Sequence, residues 1–456
     1  MSGNNTTGKQ AQPEPDQFIT GKIMPIKKSF FYTTTLITKL FITLVFTKTL
    51  KILLFKTATK VSTQVSASIA VSTSVFRQIL VAGFLMTMVA GEVSAQNIIP
   101  RPPQIAASSF ILMDAKTGEI LVEENADIPL PPASLTKIMT SYVAANEVAQ
   151  GNVTLDDMVH VSVRAWQMEG SKMFIQEGTQ VRLEDLLRGM IIQSGNDASV
   201  AIAEHIAGSE EAFADMMNQH AEILGLDNSY FLNASGLPMD QHTMSARDLA
   251  LLSRALIENF PDHYAMYSER EFTYNDIRQP NRNSLLFRDR NVDGIKTGHT
   301  EEAGYCLVAS ATRDDMRLIA VVMGTDSTDA RAIESQKLLT YGFRFYKTHQ
   351  LFENNQVLST DRVWSGKTNA VDIGIRDEIY VTIPRGQEEN LETDLVIDET
   401  LKAPLEAGQV LGNVSVKLGD QVFYDGPVVA METVERGSFI KRLMDFLHLF
   451  FLSLFA

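Results

Sequence analysis

Three short motifs in this 456-residue chain set side chains at spacings that suit nucleophilic chemistry. Ser134-Leu135-Thr136-Lys137 places a hydroxyl and an amine three residues apart, hence on one face if the segment is helical. A helix start favours a developing alkoxide, while burial and a second cation lower a lysine pKa until the neutral amine can accept the serine proton. In Ser194-Gly195-Asn196 a hydroxyl can relay a proton and a carboxamide can hold both a lysine and a substrate carbonyl. Lys296-Thr297-Gly298 adds positive charge, and its glycine lets substrate backbone come close.

Each motif has a second copy: Ser438 to Lys441, Ser2-Gly3-Asn4 and Lys116-Thr117-Gly118. Order and context separate them. One combination runs Ser-x-x-Lys at a helix start, Ser-x-Asn between helices and Lys-Thr-Gly at a strand, all within 165 residues, and the set is stronger than any member.

The elements that must hold these groups are legible. Ser109 onward alternates through Phe110 and Leu112, turns at Ala115-Lys116-Thr117-Gly118 and returns through Ile120 and Val122, which predicts a β-hairpin. Pro131 and Pro132 end extended chain ahead of Ser134, and Leu135, Ile138, Met139 and Tyr142 mark one face of a helix that Gly151 can close. Helices are predicted over Leu183–Ile192 and Asp197–Ala207, so the second motif occupies the break between them. Ser245 with Asp248 resembles a cap for a helix reaching Asn259. After His299 come strands at Tyr305–Thr312 and Leu318–Met323, joined at Asp314-Asp315, and a helix from about Asp329 to Tyr346. Strands at both ends with helices between imply an α/β layer structure.

Beyond Leu351 short alternating runs replace this pattern: Val371–Ile375, Ile379–Ile383, Leu395–Ile397, Val410–Val416 and Val422–Tyr424, a second, all-β domain. In the tail, Phe439, Ile440, Leu443, Phe446, Leu447, Phe450 and Leu454 recur at helical spacing, with Lys441, Arg442 and Asp445 on the opposite side. Such a helix suits lying in a membrane interface better than spanning it; the other reading is packing on its own domain.

The first 95 residues carry ten Lys or Arg against three acids, so without them the body has 30 basic and 52 acidic residues, a formal charge of −22 in place of −15. A body that acidic repels nucleic acid. Arg77, the apolar run Ile79 to Ala90 and the small residues Val93-Ser94-Ala95 read as an export signal cleaved before Gln96. The alternative, a retained membrane anchor, has a run of only about 12 residues where about 20 are needed. Phe30 to Phe55, apolar but broken by Lys39, Lys48 and Lys51, fits an overlong signal region or an early start codon equally. Cys306, the one cysteine, lies in an apolar strand pattern and reads as a buried inert thiol. No His/Asp cluster has metal-ligand spacing, and no cofactor is implied.

With the three motifs go longer runs: Gly170-Ser171-Lys172-Met173-Phe174, Gln193 to Ala198, Lys296-Thr297-Gly298-His299-Thr300, Ala303-Gly304-Tyr305 and Leu338 to Phe343. Together they resemble the low-molecular-mass penicillin-binding D-alanyl-D-alanine carboxypeptidases of the type-5 kind, from about Ile98 to the C-terminus. The resemblance implies a penicilloyl-serine transferase fold, α/β and like the serine β-lactamases and D,D-peptidases, then a small all-β domain and a C-terminal amphipathic helix. It divides the chain into an extension with signal peptide (1–95), a D,D-peptidase domain (96–350), a β domain (351–435) and an anchor helix (436–456). It implies Ser134 as nucleophile, Lys137 as acylation base, and Ser194, Asn196 and Lys296 completing the catalytic set. Ser194 and Lys296 would pass the proton to the leaving amine, and the backbone N–H groups of Ser134 and His299 would form an oxyanion hole. Thr297, Gly298, His299 and Arg331 would bind substrate, the Arg331 fork meeting the terminal carboxylate; the other reading of Arg331 is an ordinary exposed helix arginine. The implied partners are peptidoglycan pentapeptide, β-lactams and the periplasmic face of the inner membrane. The chain departs from some members at Ala234-Ser235-Gly236-Leu237, where they carry a histidine in place of Ser235, and the loop from Gly236 to Thr243 would then handle deacylation differently.

Three competing functions remain to be separated. A class A β-lactamase would carry a Glu-x-x-Leu-Asn loop between the second and third motifs, and none lies between Asn196 and Lys296. A D,D-endopeptidase is closer in chemistry, and a non-catalytic membrane-bound scaffold for wall synthesis belongs to another class.

Overall fold

The computed structural model describes the backbone of residues 99–398 and 400–455, with side chains up to 452. The expected export signal, Phe30 to Phe55 and Ser2-Gly3-Asn4 lie outside the described residues.

Strands β1 (Ser109–Asp114) and β2 (Ile120–Glu124) form the predicted hairpin. A 3-10 turn, Ala133–Thr136, leads into α1 (Lys137–Ala149). Next come α2 (Leu183–Ile192), α3 (Asn196–Ala207), α4 (Glu210–Leu224) and α5 (Ala246–Asn259), the last capped by Ser245 Oγ accepting from the Asp248 amide. The chain returns to the sheet through β3 (Val292–Thr300), β4 (Gly304–Arg313) and β5 (Met316–Thr325), and then enters α6 (Thr328–Phe345).

The five strands form one antiparallel sheet in the order β2-β1-β5-β4-β3. Side chains alternate across it. Ile111, Met113, Ile319 and Val321 join the core beneath α1 to α5, whereas Phe110, Leu112, Leu318 and Ala320 join Leu338, Leu339 and Phe343 of α6 on the other face. With both faces covered, β4 and β5 are apolar almost throughout. Cys306 is buried in the larger core, and burial raises its thiol to about 11.

Helix α6 passes directly into β6 (Tyr346–Phe352). The β-rich region continues through β7 (Gln356–Trp364), β8 (Ala370–Ile375), β9 (Ile379–Pro384), β10 (Glu392–Ile397), β11 (Leu401–Lys402), β12 (Val410–Leu418) and β13 (Gln421–Ala430). Six of these make a sheet in the order β10-β12-β13-β8-β7-β11, while β6 and β9 pair as a separate ribbon. Strands β6, β7 and β11 escaped the sequence pattern: β7 reads Gln-Val-Leu-Ser-Thr-Asp-Arg-Val-Trp, polar and mostly half-exposed, with little alternation to find.

The ribbon rests on the β1–β2 turn. Asp114 Oδ2 accepts from Thr348 Oγ1 at 2.6 Å and Thr382 Oγ1 at 2.8 Å, and Lys116 pairs with Glu378 at 3.0 Å. The second Lys-Thr-Gly is therefore a docking turn.

Helix α7 (Phe439–Phe455) takes up the tail. Asp445, expected on the water-facing side, is instead buried: it accepts from the Ser365 amide at 2.8 Å and from Lys441 at 3.0 Å, while His448 meets Trp364 edge-on. The polar face thus docks on the β domain and Phe439, Ile440, Phe446, Phe450 and Phe451 are left exposed. Among the described residues no helix is long and apolar enough to cross a membrane.

Candidate active site

The three motifs converge although 102 residues separate Ser194 from Lys296. Ser134, expected at the start of an α-helix, is half-exposed in the 3-10 turn, and α1 opens three residues later at Lys137. Lys137 is 1 % exposed and its Nζ lies 3.1 Å from Ser134 Oγ. The same nitrogen donates to Asn196 Oδ1 at 2.8 Å and to the Ser235 carbonyl at 2.5 Å. Both of those oxygens only accept. A neutral amine has two N–H groups, and these two acceptors consume both, turning its lone pair toward the Ser134 hydroxyl.

Burial brings the Lys137 amine down to about 7; Arg282 pushes the same way, against Asp197 and Glu210. Lys296, also buried, donates from Nζ to Ser194 Oγ at 2.8 Å and to the Thr297 carbonyl at 3.1 Å. Its pKa is held well below the ordinary lysine value, first by burial and then by Lys137, Arg282 and Arg331. Four basic side chains lie near one another here, which disfavours protonating all of them.

The break between α2 and α3 is tightly built. Ser194 sits at φ +69°, and the residue before the Ser134 hydroxyl, Ala133, at φ +47°, both unusual for residues with a Cβ. Asn196 Nδ2 donates to the Glu169 carbonyl at 2.6 Å, so one of its amide hydrogens, expected to serve a substrate carbonyl, holds the 169–175 loop instead. Asp197 fixes the same loop by accepting from the Met173, Phe174 and Ile175 amides.

Strand β3 lies against the serine turn. A Cβ at Gly298 would meet the Pro132 carbonyl oxygen at 3.0 Å and Leu135 at 3.2 Å, so this glycine admits the protein's own backbone, where the sequence suggested substrate backbone. Thr297 is buried at the same place, and the exposed His299 ring stacks on Tyr305 with centroids 4.0 Å apart.

Arg331 is 8 % exposed, which removes the ordinary surface-arginine reading. From the first turn of α6 its Nη1 donates to the Gly298 carbonyl at 2.9 Å and, more weakly, to that of Cys306 at 3.4 Å. It lies behind Lys296-Thr297-Gly298, a guanidinium under the strand.

Several participants escaped the sequence reading. Arg282 is held by its neighbours: its amide donates to the Ile192 carbonyl at 3.3 Å, and buried Asn283 donates to the Gly294 carbonyl at 2.9 Å. An arginine between two asparagines was the available signal. The Ser235 carbonyl is aimed at Lys137 by Asn233, whose Oδ1 accepts from the Ser235 and Gly236 amides at 3.1 and 2.7 Å. His242 also lies here, against Thr136.

A cavity of about 280 Å³ opens beside the serine turn, lined by Pro132, Ala133, the Gly236–Thr243 loop, Thr300 and Glu302. A wider groove of about 730 Å³ along α6, between Arg101 and Arg344, shares no residue with the site. Among the described residues no group of three or more His, Cys, Asp or Glu is gathered to hold a metal ion.

Known proteins share this arrangement at the level of whole domains. Residues 96–327 match the family model of D-alanyl-D-alanine carboxypeptidase, and residues 346–436 match the C-terminal domain of penicillin-binding protein 5. The chain is 42% identical over 380 residues to D-alanyl-D-alanine carboxypeptidase DacA of Escherichia coli (strain K12), covering 82% of this chain and 94% of that one. It is 47% identical over 352 residues to DacC of the same organism, covering 75% and 88%. The solved structure of penicillin binding protein 5 from Haemophilus influenzae is similar with a TM-score of 0.70 at 42% identity, over 74% of this chain and 100% of that one. Similarity of this depth across both domains, on a fold that brings Ser134, Lys137, Ser194 and Lys296 to one cleft, shows that the chain belongs to the D-alanyl-D-alanine carboxypeptidase family.

Proposed function

We propose that this protein removes the terminal D-alanine from peptidoglycan pentapeptide stems through an acyl-enzyme on Ser134. The observation that carries the reading is the Lys137 amine, brought to about 7 and 3.1 Å from the Ser134 hydroxyl, with the Asn196 Oδ1 and the Ser235 carbonyl accepting from the same nitrogen.

Lys137 takes the Ser134 proton as Oγ attacks the carbonyl of the penultimate D-alanine. The backbone N–H groups of Ser134 and His299 stabilise the oxyanion. As the C–N bond breaks, Lys296 and Ser194, 2.8 Å apart, help pass the proton taken from Ser134 on to the departing amine. D-alanine leaves, and water deacylates Ser134 by the reverse proton path. Asn196 holds Lys137, and Arg331, Thr297 and His299 bind the terminal carboxylate at β3. A β-lactam enters the same path through its strained amide and stays on the serine.

The exposed apolar face of α7 suits a membrane interface, and we place the enzyme on the periplasmic face of the inner membrane, exported by the segment ending at residue 95. Mass spectrometry after exposure to penicillin tests the central step. The wild type gains one penicilloyl mass on the peptide containing Ser134, and Ser134→Ala gains none; an adduct on the folded variant moves the nucleophile elsewhere.

A further inference from the structure

We propose that His242 is a positioning residue for this reaction, clamping the loop that carries Ser235 onto the turn that carries Ser134 and Lys137. The proposal rests on the reading of Ser134 as nucleophile and Lys137 as base.

The ring is 3 % exposed and uses both nitrogens. Nδ1 lies 3.2 Å from the Leu232 backbone nitrogen, whose N–H can only donate, so Nδ1 accepts and the ring hydrogen sits on Nε2. Nε2–H then donates to Thr136 Oγ1 at 2.8 Å. One imidazole therefore closes the 232–242 loop on itself and fastens it to Thr136, the residue just before the base. Burial and Lys137 lower the ring's pKa to about 4, which keeps it in this neutral, one-donor form.

What the clamp holds distinguishes this histidine from a satisfied core residue. The loop presents two carbonyls to consecutive turns of one helical face: Ser235 to Lys137 Nζ at 2.5 Å and Ala234 to Thr140 Oγ1 at 2.7 Å. Gly236 packs so closely that a Cβ would stand 1.8 Å from the Ala133 carbonyl oxygen and 2.7 Å from Thr136 Oγ1. The Ser235 carbonyl is one of the two acceptors that orient the Lys137 lone pair. If it withdraws, an amine N–H is freed to point at Ser134 Oγ, and the pair donates where it should accept. A misplacement of this kind costs on the order of 10- to 100-fold in rate without removing any reacting group.

Amide substitutions divide the two nitrogens. Glutamine at 242 reaches Thr136 with a donor, as Nε2 does; asparagine reaches only as far as Nδ1. The test uses the full chain as wild type, His242→Gln, His242→Asn, Thr136→Val and the His242→Asn/Thr136→Val double variant. It measures acylation by a fluorescent penicillin, kcat and KM for D-alanine release from diacetyl-lysyl-D-alanyl-D-alanine, and melting temperature. Expected are acylation and kcat lowered on the order of 10- to 100-fold in His242→Asn and Thr136→Val with KM little changed, rates near wild type in His242→Gln, and no further loss in the double variant. Wild-type rates in His242→Asn overturn the proposal, as do a glutamine variant as slow as the asparagine one or multiplying losses in the double variant. Failure of the underlying reading has a separate signature, penicillin labelling that survives Ser134→Ala.

Discussion

Asn196 Oδ1 accepts from Lys137 Nζ at 2.8 Å, so the first residue of α3 restrains the amine that opens α1. With the Ser235 carbonyl it provides two acceptors, and a protonated ammonium would turn its third N–H to Ser134 Oγ and hold no lone pair. A rate that needs the neutral amine rises as pH rises through about 7, the value to which burial and Arg282 bring Lys137. Stopped-flow acylation across that range should show this limb. Lys137→Arg stays protonated throughout and is expected to acylate 10²- to 10⁴-fold more slowly on the order of magnitude of a lost general base. An unchanged rate in that variant assigns the proton to another group.

Arg331 offers the contrast between a chain end and a β-lactam. Its Nη1 donates to the Gly298 carbonyl, which leaves the rest of the fork for the proposed carboxylate contact. Arg331→Ala should lower kcat/KM for D-alanine release by roughly ten- to a hundredfold, the cost of one charge-assisted contact of about 1.5–3 kcal/mol. Penicillin acylation should fall much less, because the strained ring needs less positioning. Purified crosslinked dimers assayed beside pentapeptide separate the endopeptidase alternative, which predicts faster cleavage of the dimers.

Gly236 is the tightest point between the loop and the serine turn. Gly236→Ala puts a methyl 1.8 Å from a backbone oxygen at φ +79°, so the backbone itself must shift to admit it. Thermal unfolding should show a loss of roughly 1–3 kcal/mol or more, with penicillin labelling reduced in the fraction still folded. A variant as stable as wild type with full labelling would show that the loop yields without consequence for Ser134.

The tail can be removed at a defined place. Ending the chain after Arg436 deletes α7 and its Asp445 contact with Ser365 while leaving the β sheets whole. The truncated enzyme should release D-alanine at the wild-type rate yet fail to sediment with phosphatidylethanolamine–phosphatidylglycerol vesicles that carry down the full chain. Vesicle binding by the truncated form would place the anchor elsewhere.

The sequence alone determined which local segments form and which motifs belong together. Periodicity marked α2 to the residue and the start of α3 within one, Ser245 announced its helix, and the β1–β2 hairpin and the strands flanking Asp314-Asp315 stood where alternation put them. These are encoded by neighbours in the chain, through backbone hydrogen bonds and the face each side chain presents. Tertiary structure decided the contacts between segments far apart in the chain. Arg282 as the cation lowering Lys137, the Ser235 carbonyl as its acceptor, Arg331 spent partly on Gly298, Gly298 admitting the serine turn, and Asp445 facing the β domain have no local signature. A main-chain carbonyl looks the same in every residue, and a charge lowers a pKa through space. Such effects depend on which loops the packed core brings within a few ångströms of one another, and the linear order of residues does not contain that distance.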